Sequence, residues 1–288
     1  MPLDDGTIDW VSSNHFSPEA SFFFGVLVLG FGGAGLVFLL FHRAKALRER
    51  QAAEERAFGS PSELTPGPNK LVRGTVDAEG GEAIALIGDV SSVEQTQSVI
   101  QQTIDAWGRL DIVIANAGIS IGMDTAVRDD IDVMAQTFAT NNIGLAATFH
   151  PFIAPMLARG SGTLTGIASV AGIRGLPGHG AYCASKAAVI SYCESLRGEL
   201  RAGGVRVVTI CPGYIDTPLT RQNRYSMPFL MQPEDFADKA FAAIEAGASY
   251  RVIPWQMGVV AGLLRLLPNA VFDRALAGRP RKHRQGGQ

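Results

Sequence analysis

The stretch LDIVIANAG, residues 110–118, shows how this chain is built. Its first six residues predict a strand over 110–115, apolar enough to be buried on both faces, as the strands of parallel sheets are. The polar turn Asn116-Ala117-Gly118 follows at the carboxyl end of that strand. Because open parallel sheets bind their ligands at such strand ends, this turn is a candidate part of a functional site.

The same succession of strand, polar turn and helix recurs on both sides of this stretch. Ser91-Ser92-Val93-Glu94 has the pattern of a capping box at a helix start, and Gly203-Gly204 is typical of a helix end. Strands alternating with helices predict an α/β fold, a Rossmann-like, doubly wound parallel sheet with right-handed crossovers. Further strands are predicted at 83–87, 163–168 and 205–210, and further helices at 131–139, 145–157 and 181–201.

Polar residues follow four successive predicted strands. They are Asp89-Val90, Asn116, Ser169 and the run Pro212-Gly213-Tyr214-Ile215-Asp216-Thr217. Each of them alone is typical of an ordinary turn or helix cap. Together, at the shared edge of a parallel sheet, they predict one crevice lined with polar groups.

Tyr182 and Lys186 stand four residues apart on the predicted helix 181–201, so they share one of its faces. Such a pair is also common on helix surfaces that have no function. A free tyrosine has a pKa of about 10, and a nearby ammonium group favours the phenolate. We therefore expect Lys186 to lower the pKa of Tyr182, and Tyr182 to exchange a proton with a carbonyl or alcohol oxygen.

Two further residues complete the predicted site. The hydroxyl of Ser169 would hold the substrate oxygen, unless it only caps a helix. Asn141, in Asn141-Asn142-Ile143-Gly144, is expected to interrupt a helix and expose a carbonyl to a water that relays protons to Lys186. The alternative for Asn141 is an ordinary helix end followed by glycine.

Six motifs, in order, resemble those of the short-chain dehydrogenases/reductases over roughly residues 77–255: Asp89-Val90, Asn116-Ala117-Gly118, Asn141-x-x-Gly144, Ser169, Tyr182-x-x-x-Lys186 and Pro212-Gly213-x-x-x-Thr217. The resemblance implies hydride transfer between NAD(H) or NADP(H) and a carbonyl or alcohol. It implies a catalytic tetrad of Asn141, Ser169, Tyr182 and Lys186, with Tyr182 and Lys186 also at the cofactor and Lys186 on its nicotinamide ribose. The remaining implied cofactor contacts are Asp89 and Val90 at the adenine, Asn116, Pro212 and Gly213, and Ile215 and Thr217 at the carboxamide.

The segment 22–41 has neither a charge nor a hydrogen-bonding side chain, and two interpretations are open. As a transmembrane helix preceding the sheet, with acidic residues before it and basic residues after it, it would hold the chain on the cytoplasmic side of a membrane. Alternatively, 26–29 is a strand and Gly30-Phe31-Gly32-Gly33-Ala34-Gly35 a phosphate-binding loop that opens a helix, in a soluble cytoplasmic protein. The membrane span is favoured, because no second strand ending in a ribose-binding acid follows.

The predicted division is therefore an atypical region, 1–75, and a catalytic domain, 76–288. Leu29 stands where the family's glycine loop has threonine, and the glycine spacing also differs. Two alternatives follow: a non-catalytic, membrane-tethered relative that has lost the phosphate-binding loop, or an N-terminal region that is not the native translation of its gene. Retention of all four tetrad residues favours an enzyme.

The residues after Thr217 bear on substrate and partners. Tyr225, Met227, Pro228, Phe229, Leu230 and Met231 predict an apolar lid and hence a small apolar carbonyl or alcohol substrate, although ordinary core packing would use the same residues. An apolar helical stripe follows at Val259, Val260, Leu263, Leu264 and Leu267, and then a basic tail. That stripe would pack on the sheet, join a second copy in a homo-oligomer, or lie on a membrane.

Composition argues against several other classes of protein. The net charge is −2 and the basic residues form no large cluster outside the tail, so no nucleic-acid partner is expected. Three cysteines lack paired spacing and five histidines lack ligand spacing. We therefore expect neither a disulfide framework nor a metal site.

Overall fold

A computed structural model describes residues 26–29, 36–42, 82–221, 223, 226–278 and 284. Its strands form one seven-stranded sheet in the order β3-β2-β1-β4-β5-β6-β7. They are β1 Val26–Leu29, β2 Leu36–His42, β3 Glu82–Gly88, β4 Ile112–Ala115, β5 Gly162–Ile167, β6 Val205–Pro212 and β7 Tyr250–Ile253. The five strands β1, β4, β5, β6 and β7 are paired in parallel, which confirms the prediction for β4, β5 and β6.

Helices alternate with these strands. They are α1 Val93–Trp107, α2 Asp130–Phe138, α3 Gly144–Arg159, α4 Gly180–Leu200, α5 Pro218–Arg221, α6 Pro233–Glu245, α7 Trp255–Leu266 and α8 Asn269–Leu276. The predicted cap of α1 is displaced by one residue. Ser92, not Ser91, is the N-cap, and its hydroxyl accepts a hydrogen bond from the Gln95 amide at 3.3 Å.

Both faces of the sheet are covered, which confirms the doubly wound arrangement. On one face, residues of α1, α3 and α4 pack with β4, β5 and β6, and Phe149 and Met156 are fully buried among them. On the other face, Ile244 of α6 packs against Ile114 and Ile210. The parallel strands therefore lie at the centre of the core, and only their ends are free to form a site.

β2 departs from the predicted parallel sheet, since it pairs antiparallel with both β1 and β3. Only the six residues 30–35 lie between β1 and β2. A parallel neighbour needs a crossover of about a dozen residues or more, whereas a short connection can only return the chain antiparallel. The length of the connection accounts for the direction of β2.

The prediction of a transmembrane helix over 22–41 is wrong for the described part of that segment, which forms β1 and β2. An apolar run fits a buried helix and buried strands equally well by periodicity, so the sequence alone did not decide between them. Of the rival interpretation, the strand 26–29 is confirmed, but the next described residues form a strand and not a helix. The glycine-rich segment 30–35 and residues 43–81 lie outside the described residues. No helix in the described part of the chain is both long and apolar enough to cross a membrane.

The predicted apolar stripe is not the buried face of α7. Met257 and Ala261, which are not part of the stripe, are buried, whereas Val259 and Leu263 of the stripe are 52% and 61% exposed. One face of α7 therefore packs on the domain, but it is not the predicted stripe, so packing of the stripe on the sheet is wrong for Val259 and Leu263. Contact of the other face with a second copy or a membrane stays a prediction.

Candidate active site

Three of the four predicted strand ends meet at one edge of the sheet. β4, β5 and β6 are parallel neighbours, so the segments that follow them, starting at Asn116, Ala168 and Gly213, leave the sheet side by side. Their proximity to α4 is direct: a Cβ at Gly118 would lie 3.2 Å from Nζ of Lys186 and 3.3 Å from Oδ1 of Asn141.

The fourth strand end, after β3, is separated from this group by β2 and β1. The Asp89 carboxylate accepts hydrogen bonds from the amide and the hydroxyl of Ser91, at 2.9 and 2.8 Å. Val90 is buried, and its carbonyl lies 2.8 Å from where a Cβ at Gly144 would be. Both residues therefore have structural contacts in the turn before α1, and their role at an adenine stays a prediction.

Tyr182 and Ser169 are brought together by α4 and β5. Tyr182 lies half-buried in the first turn of α4 and forms a side-chain hydrogen bond with Ser169. The Ser169 hydroxyl also accepts a hydrogen bond from the amide of Ala171 at 3.2 Å, at the start of the 3₁₀ turn Val170–Gly172. The serine thus caps a turn and contacts the tyrosine at the same time, so the two interpretations of Ser169 are compatible.

Lys186 lies one helical turn after Tyr182 and is almost fully buried. Its Nζ donates a hydrogen bond to the carbonyl of Ile167, at the end of β5, at 2.8 Å. Nζ also lies 5.9 Å from the centre of the Tyr182 ring. The strand end therefore fixes the ammonium group beside the tyrosine.

Burial dominates the ionisation of this pair. It raises the pKa of Tyr182 to about 12, although the hydrogen bond with Ser169 acts in the opposite direction. It lowers the pKa of Lys186 to about 8. The expectation that Lys186 gives Tyr182 a depressed pKa is therefore wrong for this structure, because loss of hydration penalises both charged forms. At neutral pH the tyrosine carries its proton and the lysine its charge.

Asn141 lies in a π turn, Ala139–Ile143, that joins α2 to α3. This confirms the predicted interruption of a helix. The buried side chain donates hydrogen bonds to the Ile119 carbonyl at 3.0 Å and the Ser185 hydroxyl at 2.8 Å, and accepts one from the Ile119 amide at 2.8 Å. Asn141 thereby ties the loop after β4 to α4, while the water relay stays a prediction.

Ser185 is a site residue that the sequence did not single out. It is fully buried, and its hydroxyl accepts from Asn141 and donates to the Tyr182 carbonyl at 2.9 Å. The side chain of Asn142 donates to the Ser185 carbonyl at 2.9 Å. The only signal in the sequence is its place directly before Lys186.

The segment after β6 is held by backbone contacts. The Gly213 amide donates to the Ile253 carbonyl at 2.7 Å, and a Cβ at Gly213 would lie 2.8 Å from Cγ of Met257. Ile215 pairs with Met231 of the predicted lid through a β-bridge. Thr217 directly precedes α5, and its carbonyl accepts a hydrogen bond from the Thr220 amide at 2.9 Å. Pro212 is the last residue of β6.

The described residues fit the nicotinamide end of a dinucleotide. In the described part of the chain the Lys186 ammonium makes one hydrogen bond, to Ile167, and an ammonium group has three hydrogens to donate. A side chain at position 118 would lie against Nζ, and glycine there keeps that position next to the ammonium unfilled. Residues 30–35, proposed for the phosphates, lie outside the described residues.

A cavity of about 580 Å³ lies beside the predicted lid. Phe229, Leu230, Val252 and Trp255 form apolar walls, and Asp235, Lys239 and Arg251 are charged residues in its lining. None of the four tetrad residues lines it. The cavity is therefore a neighbour of the site and not the place where Tyr182 acts.

Comparison with known proteins gives a consistent result. The family model of the short chain dehydrogenases matches residues 64–227. An uncharacterized oxidoreductase of Myxococcus xanthus is 40% identical over 65% of this chain and 74% of its own length. The ketoacyl reductase HetN of Nostoc sp. is 33% identical over 78% of this chain and 77% of its own length. A short-chain dehydrogenase of Burkholderia cenocepacia, solved in complex with NADP, has a TM-score of 0.56 at 23% identity, over 66% of this chain and 77% of that one.

Proposed function

The chain belongs to the short-chain dehydrogenase/reductase family, and we propose that it interconverts an apolar ketone and its alcohol with Tyr182 as the proton donor or acceptor. It is an oxidoreductase of CH–OH and C=O groups that uses NAD(H) or NADP(H). The observation that carries the proposal is the contact of the Tyr182 and Ser169 hydroxyls at the carboxyl end of β5, with Lys186 fixed beside them.

These two hydroxyls provide a binding point for a carbonyl oxygen. Hydrogen bonds from Ser169 and Tyr182 would hold that oxygen, and a bound nicotinamide supplies the hydride to the carbonyl carbon or accepts it in reverse. As negative charge develops on the oxygen, Tyr182 donates its proton to it. The pKa of about 12 keeps Tyr182 protonated until that moment, so the proton is available at neutral pH.

Lys186 stabilises the phenolate that remains on Tyr182. Its ammonium group lies on the same helix face and is held by Ile167 in a buried environment, where a fixed positive charge acts strongly on a developing negative one. With a pKa of about 8, Lys186 is charged at neutral pH. Asn141 and Ser185 support this geometry through their hydrogen bonds to the loop after β4 and to the first turn of α4.

The lid supports an apolar substrate. Phe229 and Leu230 are 49% and 43% exposed, so they are not ordinary core residues in this chain. Both line the cavity beside the site, and exposed apolar side chains in such a cavity are typical of surfaces that a ligand covers. Since the relative HetN is a ketoacyl reductase, ketones with an acyl chain are the first members of this class to test.

The first experiment is a titration with NADPH and with NADH, followed by nicotinamide fluorescence. Turnover of a homologous series of 2-ketones is then compared with that of hydroxylated ketones of equal length. We expect kcat/KM to rise by up to about fourfold per buried methylene, the value expected from about 0.8 kcal/mol each. A flat series would refute the apolar substrate, and failure to bind either nucleotide would refute the proposed function.

A further inference from the structure

Arg284, the one described residue after Gly278, contacts the segment that follows β4 at the active-site edge of the sheet. Its Nε and Nη2 donate to the two carboxylate oxygens of Asp130, at 2.7 and 3.0 Å. The Asp130 side chain is only 3% exposed. Arg284 also forms a parallel β-bridge with Gly122. A two-pronged pair of this kind to a buried carboxylate fixes orientation as well as position.

Asp130 joins the tail to the segment 119–124, which we call the β4–α2 loop. One of its carboxylate oxygens accepts from the Asp124 amide at 2.6 Å as well as from Arg284. These contacts lower the pKa of Asp130, so the carboxylate is charged at neutral pH. Without Arg284, the buried Asp130 carboxylate would be stabilised only by the Asp124 amide and by other local contacts.

The far end of the β4–α2 loop touches the residues around Tyr182. The amide of Ala181, the residue before Tyr182, donates to the sulfur of Met123 at 3.1 Å. The Met123 amide donates to the carbonyl of Gly178 at 3.1 Å. The near end of the loop is held by Asn141 at Ile119. The loop is thus fixed by the tetrad on one side and by the tail on the other.

We propose that Arg284 is a positioning residue, which holds the β4–α2 loop against α4 and thereby shapes the wall of the substrate site beside Tyr182. The proposal rests on the proposed function for its effect on substrate. Arg284 touches neither Tyr182 nor Ser169, so it acts through Asp130 and Met123. Arg284 therefore sets how tightly the carbonyl substrate is bound, more than how fast it reacts.

The test compares the full-length chain with Arg284→Ala, Arg284→Lys and the control Arg274→Ala, which removes an equal charge from an exposed position of α8. We expect faster amide hydrogen exchange in peptides covering 116–129 for Arg284→Ala. We also expect a KM for the ketone raised roughly fivefold or more with kcat changed less than about twofold, because binding and not chemistry is affected. Arg284→Lys should be intermediate, since lysine cannot make the two-pronged contact.

Either of two kinetic results would overturn the proposal. One is unchanged KM in Arg284→Ala, and the other is the same change in Arg274→Ala. A third variant, Asp130→Asn, should raise KM as Arg284→Ala does, and the double variant should show no further increase, since both changes break one contact. If the unmutated chain binds no nucleotide, the proposed function fails. Equal amide hydrogen exchange of 116–129 in Arg284→Ala and in the unmutated chain is a separate result, which would refute the contact between Arg284 and Asp130.

Discussion

At the scale of a single residue, burial of the charged Lys186 lowers the free energy of unfolding at neutral pH. Its ammonium group is buried, and its pKa is lowered from 10.5 to about 8 because hydration is lost. In the range between these two values the unfolded chain binds a proton that the folded chain does not. The contribution of Lys186 to the free energy of unfolding therefore rises with pH across that range, and the charged lysine opposes folding most below pH 8.

Lys186→Met makes this cost measurable. The variant has no group to titrate at this position. Its free energy of unfolding minus that of the unmutated chain should therefore be about 2.5 kcal/mol larger at pH 7 than at pH 10, at about 1.4 kcal/mol per pH unit. Urea denaturation of both chains at the two pH values gives this difference. The variant lacks the hydrogen bond to Ile167 at both pH values, so its loss does not contribute to the difference between them. A stability difference that is equal at pH 7 and pH 10 would show that burial does not depress the lysine pKa.

Asn141 and its neighbour Asn142 provide a second comparison at this scale. Asn141 makes three side-chain hydrogen bonds, whereas Asn142 makes one and its Oδ1 is buried without a hydrogen-bond partner. At about 1 kcal/mol for each bond, Asn141→Ala should lower the free energy of unfolding by about 3 kcal/mol and Asn142→Ala by about 1 kcal/mol or less.

The kinetic effect of these two variants should be even more unequal. Asn141→Ala frees the loop after β4 from α4 and should lower kcat at least about tenfold, whereas Asn142→Ala should stay within about threefold of the unmutated chain. Steady-state rates at saturating cofactor provide the comparison. Equal losses of kcat in the two variants would show that the bonds of Asn141 have no special part in positioning Tyr182.

At the scale of elements, the 3₁₀ turn Val170–Gly172 and α4 pack unusually closely. A Cβ at Gly172 would lie 2.7 Å from the backbone carbon of Lys186 and 2.8 Å from the Ala187 amide nitrogen. Nothing would meet a Cβ at Gly175, three residues later. The absence of a side chain at Gly172 therefore lets β5 and its turn approach α4 at the point where Lys186 and Tyr182 are presented.

Gly172→Ala should push α4 away from the end of β5. We expect it to destabilise the domain by about 1–3 kcal/mol, the usual cost of overpacking a core, and to reduce kcat. Gly175→Ala, the same change in open space, should affect neither. Thermal unfolding and steady-state kinetics of the two variants test this, and a Gly172→Ala chain with unchanged stability and kcat would mean that the contact is easily relieved.

The elements differ in how far the sequence predicts them. β4 and most of β6 are predictable, because strands buried on both faces read as short apolar runs that end in polar turns, whereas β5 is buried although two of its six residues are threonines. The interruption at Asn141 is predictable from Asn-Asn before Ile-Gly, but its form as a π turn depends on contacts with Ile119 and Ser185. The direction of β2 depends on the short connection 30–35, which becomes decisive only once 26–29 and 36–42 are known to be strands.

For the whole molecule, the catalytic arrangement depends on the parallel part of the sheet. The residues around Tyr182 come from the ends of β4 and β5, from the π turn and from α4, elements that occur in one continuous stretch of sequence with strong motifs. The contact between Arg284 and Asp130 joins residues that are 154 positions apart in the sequence, and no local sequence pattern predicts it. The sequence therefore predicts the tetrad, whereas the support of its surrounding loop requires the three-dimensional structure.

The most direct test of the account is a comparison of Tyr182→Phe with the unmutated chain. Nicotinamide fluorescence gives the Kd of NADPH and NADH, and single-turnover oxidation of the bound cofactor by a 2-ketone gives the rate of the chemical step. We predict an unchanged Kd within about twofold and a rate at least about a thousandfold lower, since the proton donor is lost while the ring is kept. A Tyr182→Phe chain that still reduces the ketone at the rate of the unmutated chain would contradict the account.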